Sequence, residues 1–155
     1  MVPPAYLAAL ARMQDDVAPA PFEDVRAVVE EELGVKLGKL FSEFDETPLG
    51  GASLAQVHRA CLRDGRAVAV KVQRPGIVEG IHADLDALAS LARKVDRHTD
   101  IGRRTRFADW VHEFRRSLLA ELDYRTEAGN LVRFGTHFQR YPNLFVPQPV
   151  WDLCA

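Results

Sequence analysis

The 155 residues are ordinary in composition, 47% hydrophobic and 27% charged, and their 20 Lys and Arg nearly balance 22 Asp and Glu for a net charge of −2. That length carries one domain with a real buried core, and the charge balance lacks the basic excess that marks nucleic-acid binders. Two cysteines, Cys61 and Cys154, are too few for a disulfide framework or a zinc site, and no apolar run approaches the ~20 residues of a membrane span, so a reducing, cytoplasmic setting is expected.

Ala5 to Met13 carries Leu7, Leu10 and Met13 at helical spacing, which predicts a short amphipathic helix, and the residues before it lack the pattern of a signal peptide. Asp15, Asp16, Pro19 and Pro21 break that pattern into a loop. Phe22, Val25, Val28, Val29 and Leu33 then recur at helical spacing until Gly34 ends the helix. Its acidic run, Glu30 to Glu32, lies where the helix dipole disfavours carboxylates and is read as a solvated face. Leu37 to Phe44 is read as a helical turn leading into the first strand.

Pro48-Leu49-Gly50-Gly51-Ala52-Ser53-Leu54-Ala55-Gln56-Val57-His58-Arg59-Ala60 reads as strand, small-residue turn, strand. Gly50, Gly51, Ala52, Ser53 and Ala55 keep bulk off the backbone, so a large anion could approach the amides closely. Arg63-Asp64-Gly65-Arg66 turns the chain, and Ala67-Val68-Ala69-Val70-Lys71-Val72-Gln73 returns as a β-branched strand with one cation. A lysine in such a strand costs free energy unless something negative meets it. His58 alternates with Val57 and has no metal-ligating or nucleophilic neighbour in sequence, so it is read as structural.

After Arg74-Pro75-Gly76 a helix is predicted from about Ile77 to about Arg97, then a polar linker from Thr99 to Arg106 whose Arg103, Arg104 and Arg106 could touch phosphate or anionic lipid but are read as solvated. One long helix is predicted from about Phe107 to about Phe138, with Trp110, Phe114, Leu118 and Leu122 on its buried side. Leu144 to Val150, interrupted by Pro147 and Pro149, is predicted as an edge strand. Helices, strands, long helices and a strand in that order give an α+β fold with an antiparallel sheet. A doubly wound dinucleotide fold is disfavoured, because the glycines precede a strand and not a helix.

Within the last long helix, Glu121-Leu122-Asp123-Tyr124-Arg125-Thr126-Glu127-Ala128-Gly129-Asn130 places Asp123, Glu127 and Asn130 on one face, with Glu121 on another, able to pair with Arg125. Such a stripe could be plain helix-surface pairing. It lies close to Leu118, Leu122 and Phe134, however, where a carboxylate could supply the counter-charge of Lys71.

The Pro-Leu-small-small-Ala-Ser-Leu-Ala-Gln-Val-His-Arg-Ala stretch, the Val-Ala-Val-Lys-Val-Gln-Arg-Pro-Gly stretch and Glu-Leu-Asp-Tyr-x-x-Glu-Ala-x-Asn together resemble the UbiB/AarF family of atypical kinase-like proteins. Any one motif alone would be weak; three in order make the match specific. The resemblance implies a protein-kinase-like small lobe with extra N-terminal and inserted helices: residues 1–42 as a helical extension and 43–155 as the lobe. It further implies that Gly50, Gly51, Ala52, Ser53, Leu54 and Ala55 cover a nucleotide, with Lys71 contacting the α- and β-phosphates of ATP. Glu127 would be its ion-pair partner, with Glu121 the second choice. Glu121 and Asp123 would form the family's Glu-x-Asp motif, facing the extension and the active site. Gly50 and Gly51 stand where the family usually has alanines, which makes this loop more flexible.

By the same resemblance, the family's Lys-x-Gly-Gln motif would precede Met1. The catalytic loop and the Asp-Phe-Gly type site for magnesium would follow Ala155. The chain is therefore expected to bind nucleotide without catalysing phosphoryl transfer by itself. A role in isoprenoid-quinone or lipid metabolism, peripheral at a membrane, is also implied. The competing expectations are a non-catalytic module that binds a partner or lipid through its helices, and the product of a truncated gene.

Overall fold

The computed structural model describes residues 18–155, so the helix predicted over Ala5 to Met13 lies outside the described residues. The chain divides into two compact units, 1–77 and 78–155.

In the first unit, α1 (Phe22–Leu33) ends at Gly34, whose φ of 64° is a left-handed conformation that glycine adopts without strain. The turn into α2 (Leu37–Leu40) is held by Glu30, which accepts from the Leu37 amide at 2.9 Å and pairs with Lys36 at 2.8 Å. The Lys36 ammonium and the Leu37 amide hold the Glu30 carboxyl below its ordinary range. The solvated-face reading therefore holds for the exposed Glu31 and Glu32 and is corrected for Glu30.

Four strands follow: β1 (Phe41–Phe44), β2 (Gly50–Gly51), β3 (Ala55–Leu62) and β4 (Ala67–Gln73). β4 pairs antiparallel with β3 at every residue from Ala55↔Gln73 to Cys61↔Ala67. The opposite edge of β3 is left for β1 at one end (Phe44↔Ala60) and β2 at the other (Gly50↔Val57). The helical turn expected over Leu37 to Phe44 is thus helix only to Leu40, with Phe41–Phe44 a strand, and the first strand expected in the Pro48 stretch is only Gly50–Gly51.

Strand alternation sorts the sheet into two faces. Gln56, His58, Ala60 and Leu62 of β3 are buried on one face with Val72 of β4, and α1 packs there through Val25 and Val29. The other face carries Val57, Arg59, Ala69 and Lys71. His58 is fully buried among Phe22 and Phe44, at ring-centroid distances of 6.2 and 5.3 Å. A buried imidazole is tolerated only when both nitrogens are satisfied. Gln56 Oε1 accepts from the Ala20 amide at 2.8 Å, so its amide nitrogen donates to His58 Nε2 at 2.8 Å. The imidazole proton therefore sits on Nδ1 and is donated to the Asp45 carbonyl, also at 2.8 Å. His58 is structural, as its sequence surroundings predict.

The second unit is helical after Ile77. α3 (Ile77–His98) buries Ile81, Leu85 and Ala92. The predicted linker is instead a short helix, α4 (Asp100–Thr105). Thr99 caps it, accepting from the Gly102 amide at 2.9 Å and donating to the Val95 carbonyl at 2.8 Å. Arg103, Arg104 and Arg106 are exposed; Arg103 pairs with Asp100, and Arg106 with Asp109 at 2.8 Å. Both carboxylate oxygens of Asp96 accept from the first amides of the next helix, Phe107 and Ala108, at 2.9 Å each. A carboxylate there also complements the helix dipole.

The long helix predicted from Phe107 to Phe138 is two helices, α5 (Phe107–Glu121) and α6 (Tyr124–Phe138). Asp123 causes the break: it is extended, at φ −85° and ψ 90°, and caps α6. The expected burial of Trp110 and Phe114 is also corrected, for they are 71% and 54% exposed while Val111, Leu118 and Leu122 are half-buried. Leu144 to Val150 forms no strand. It runs beside α6 at Gly135, where a Cβ would meet the Gln148 amide nitrogen at 2.7 Å, and the prolines remove ladder donors. A 3₁₀ turn, Trp151–Leu153, follows.

Candidate functional site

The small-residue stretch forms a tight hairpin between β2 and β3. The Ala52 amide donates to the Ala55 carbonyl at 2.8 Å, leaving Ser53 and Leu54 as its tip. Gly50, Gly51, Ala52 and Ser53 are exposed, Leu54 is half-buried and Ala55 is buried. Gly50 and Gly51 have no positive φ; a Cβ would meet nothing within 4 Å at Gly50, and at Gly51 the Arg74 guanidinium at 3.7 Å and the Gln56 Cβ at 4.0 Å. The chain itself does not require glycine at either position. What the missing side chains leave is open space beside backbone amides, which suits a bulky anion.

Lys71 projects from the sheet face opposite the His58 core, and its strand partner is Val57. The Ala55↔Gln73 pair, which opens the hairpin, lies only two positions along the ladder. An exposed cation therefore stands beside the base of an exposed, small-residue loop.

The acidic residues belong to the second unit. Glu121 is the last residue of α5 and is exposed. Arg125, its expected partner, donates instead to the Cys154 carbonyl at 3.2 Å. Asp123 is not on a shared helical face with Glu127 and Asn130. It is the cap, accepting from the Thr126 amide at 2.9 Å and the Thr126 hydroxyl at 2.7 Å. Those hydrogen bonds hold its carboxyl below the usual range. Glu127 lies in the first turn of α6, with its amide bonded to the Asp123 carbonyl at 3.2 Å. The break after Glu121 thus sets Glu121, Asp123 and Glu127 around one bend.

Two further residues, one in each unit, escaped the sequence reading. Tyr124 precedes Glu127 in the first turn of α6; its burial, with the Glu127 carboxylate adding, pushes its phenol up to about 12. Arg74 lies one residue past β4, where Nε donates to the Ala52 carbonyl at 2.9 Å. Its only sequence signal was the Arg-Pro-Gly turn. A shallow hollow of about 470 Å³ lies elsewhere, lined by Phe22, Arg26, Lys36, Leu37 and Phe44 among others, and includes none of the expected site residues. Among the described residues no His, Cys, Asp and Glu cluster is placed to hold a metal ion, and no helix is long and apolar enough to cross a membrane.

An antiparallel sheet with a small-residue hairpin, a lysine on the returning strand and helices after it defines a kinase-like small lobe. Residues 12–155 match the ABC1 atypical kinase-like domain, and the chain belongs to that family, as its three motifs implied. It is 38% identical over 154 residues to a probable protein kinase UbiB of Pseudomonas putida, which covers 99% of this chain and 28% of the relative. It is 39% identical over 155 residues to the Vibrio cholerae protein of the same name, with the same coverage. The chain thus spans little more than a quarter of these relatives. A Mycobacterium tuberculosis protein, Rv3197, whose structure is described as a complex with erythromycin, superposes with a TM-score of 0.72 at 33% identity, over 96% of this chain and 38% of that one.

Proposed function

We propose that this chain is the ATP-binding small lobe of a UbiB-type atypical kinase or ATPase, with residues 43–155 as the lobe and 1–42 as its extension. The observation that carries the reading is the exposed lysine two ladder positions from an exposed small-residue hairpin. In this reading Gly50 to Ala55 fold over the phosphates and offer backbone N–H groups. Lys71 neutralises the α- and β-phosphates. Glu127, with Glu121 as the second choice, is the carboxylate that aims Lys71. Asp123 would contribute by fixing the start of α6, and so the position of Glu127. Magnesium would accompany the nucleotide through ligands outside the residues named here. What these side chains supply is phosphate binding and orientation.

Family membership supports a link to isoprenoid-quinone or lipid metabolism, in the cytoplasm or peripheral at a membrane. A second reading, a module that binds a partner or lipid through its helices, is favoured by one observation: Trp110 and Phe114, four residues apart on α5, are both exposed.

Thermal unfolding with Mg-ATP or Mg-ADP separates the two. A nucleotide at about a hundred times its Kd stabilises the folded chain by about 2.7 kcal/mol. The wild type should show such a rise in Tm, and Lys71→Ala should lose it. No rise at millimolar nucleotide would contradict the binding reading.

A further inference from the structure

The register that pairs Ala55 with Gln73 leaves Arg74 just past the ladder, level with the tip of the loop. Its backbone amide donates to the Leu54 carbonyl at 3.0 Å, and Nε donates to the Ala52 carbonyl at 2.9 Å. Nη1 donates to the Ala18 carbonyl at 3.0 Å. One planar guanidinium thus reaches two stretches of backbone that are distant in sequence, using donors on different sides of its fork. The turn that follows fixes the arginine's backbone: Gly76 adopts φ 68° and the Ile77 amide returns to the Arg74 carbonyl at 3.1 Å. A second tie meets the same incoming segment: the Ala20 amide donates to Gln56, which is itself locked to buried His58. Ala20 stands between Pro19 and Pro21, whose fixed φ angles narrow the conformations open to the segment.

We propose that Arg74 is a positioning residue that fastens the small-residue loop to the chain entering at Ala18, so that the two loosen or tighten together. The loop conformation is then set partly by how the N-terminal extension is held. Anything that displaces residues 18–20 also releases one arm of the arginine, and with it the Ala52 carbonyl. The coupling stands on the hydrogen bonds alone; its consequence for nucleotide affinity rests on the function proposed above.

Amide hydrogen exchange on the full chain, in the wild type, Arg74→Gln and Arg74→Lys, tests the coupling. Glutamine reaches at most one of the two carbonyls, and lysine keeps the charge without the fork. In Arg74→Gln the amides of residues 50–54 and of Ala20 should exchange together, roughly tenfold faster than in the wild type. The ladder amides of β3 and β4 should keep their protection, which a merely structural loss would not allow. The Kd for Mg-ADP should rise by about tenfold in parallel. Loosening of the loop without Ala20, of Ala20 without the loop, or of neither, overturns the proposal. If Arg74→Gln melts the ladder, Arg74→Lys decides: joint loosening with the ladder intact supports the fastening, and wild-type protection contradicts it. If the wild type binds no Mg-ADP, the nucleotide reading falls, and the exchange result alone decides the coupling.

Discussion

Asp123 shows how one side chain can serve a fold and a candidate site together. Its carboxylate caps α6 through the Thr126 amide and hydroxyl, and those bonds hold its pKa below the ordinary value. A carboxyl depressed on folding stabilises the folded state above its unfolded pKa, and that contribution disappears as pH falls through the depressed value. The first turn of α6, which carries Glu127, should therefore lose protection as pH drops below about 4. Exchange at the Thr126 amide across acidic pH measures this. Asp123→Asn should keep the cap and lose the pH dependence, whereas Asp123→Ala should lose both. A wild-type amide indifferent to acid would contradict the account. At this scale the sequence exposed residue types better than their contacts. His58 was readable as structural because its neighbours offered no chemistry. The cap was legible in principle, as Asp before a fresh helical run, but the apolar period continued through it and masked the break. Arg74 was invisible because its partners are backbone carbonyls, which no sequence pattern marks.

At the scale of elements, the strands and helices with strong periods came out close to expectation, and the connections did not. Ala67 to Gln73 is a strand to the residue, and Phe22–Leu33 is the helix its spacing predicts. The Thr99–Arg106 segment was read as a linker from its charge, yet it folds back as α4 because Gly102 lets it approach the end of α3 closely. A Cβ on Gly102 would lie 2.3 Å from the Val95 carbonyl oxygen and 2.6 Å from the Asp96 Cα. Gly102→Ala should therefore destabilise the chain by about 2 kcal/mol or more, since neither contact is with a side chain that can move aside. Gly80 is the contrast: it lies within α3, and a Cβ there meets nothing within 4 Å. Gly80→Ala should stabilise by roughly 0.5–1 kcal/mol, through helix propensity and unfolded-state entropy. Chemical denaturation of both variants checks the pair, and equal effects would contradict this packing. Trp110 and Phe114 misled because α5 is apolar on more than one side, so periodicity could not say which side faces inward. Leu144 to Val150 looked like a strand by composition, but a strand also needs a partner edge, which sequence alone does not supply.

For the whole molecule, the α+β class, the antiparallel sheet and the family were legible because three motifs with different local structures occur in the required order. An acidic partner for Lys71 could be narrowed from sequence only to Glu127 or Glu121, since such a pair depends on how elements distant in sequence come together. Every functional statement turns on whether a polyphosphate is held at the small-residue hairpin beside Lys71. The most direct measurement is the amide spectrum of the labelled chain titrated with Mg-ADP. The account predicts perturbations centred on residues 50–55 and Lys71, abolished by Lys71→Ala. An unchanged spectrum, or perturbations confined to the Trp110 and Phe114 face of α5, would contradict it.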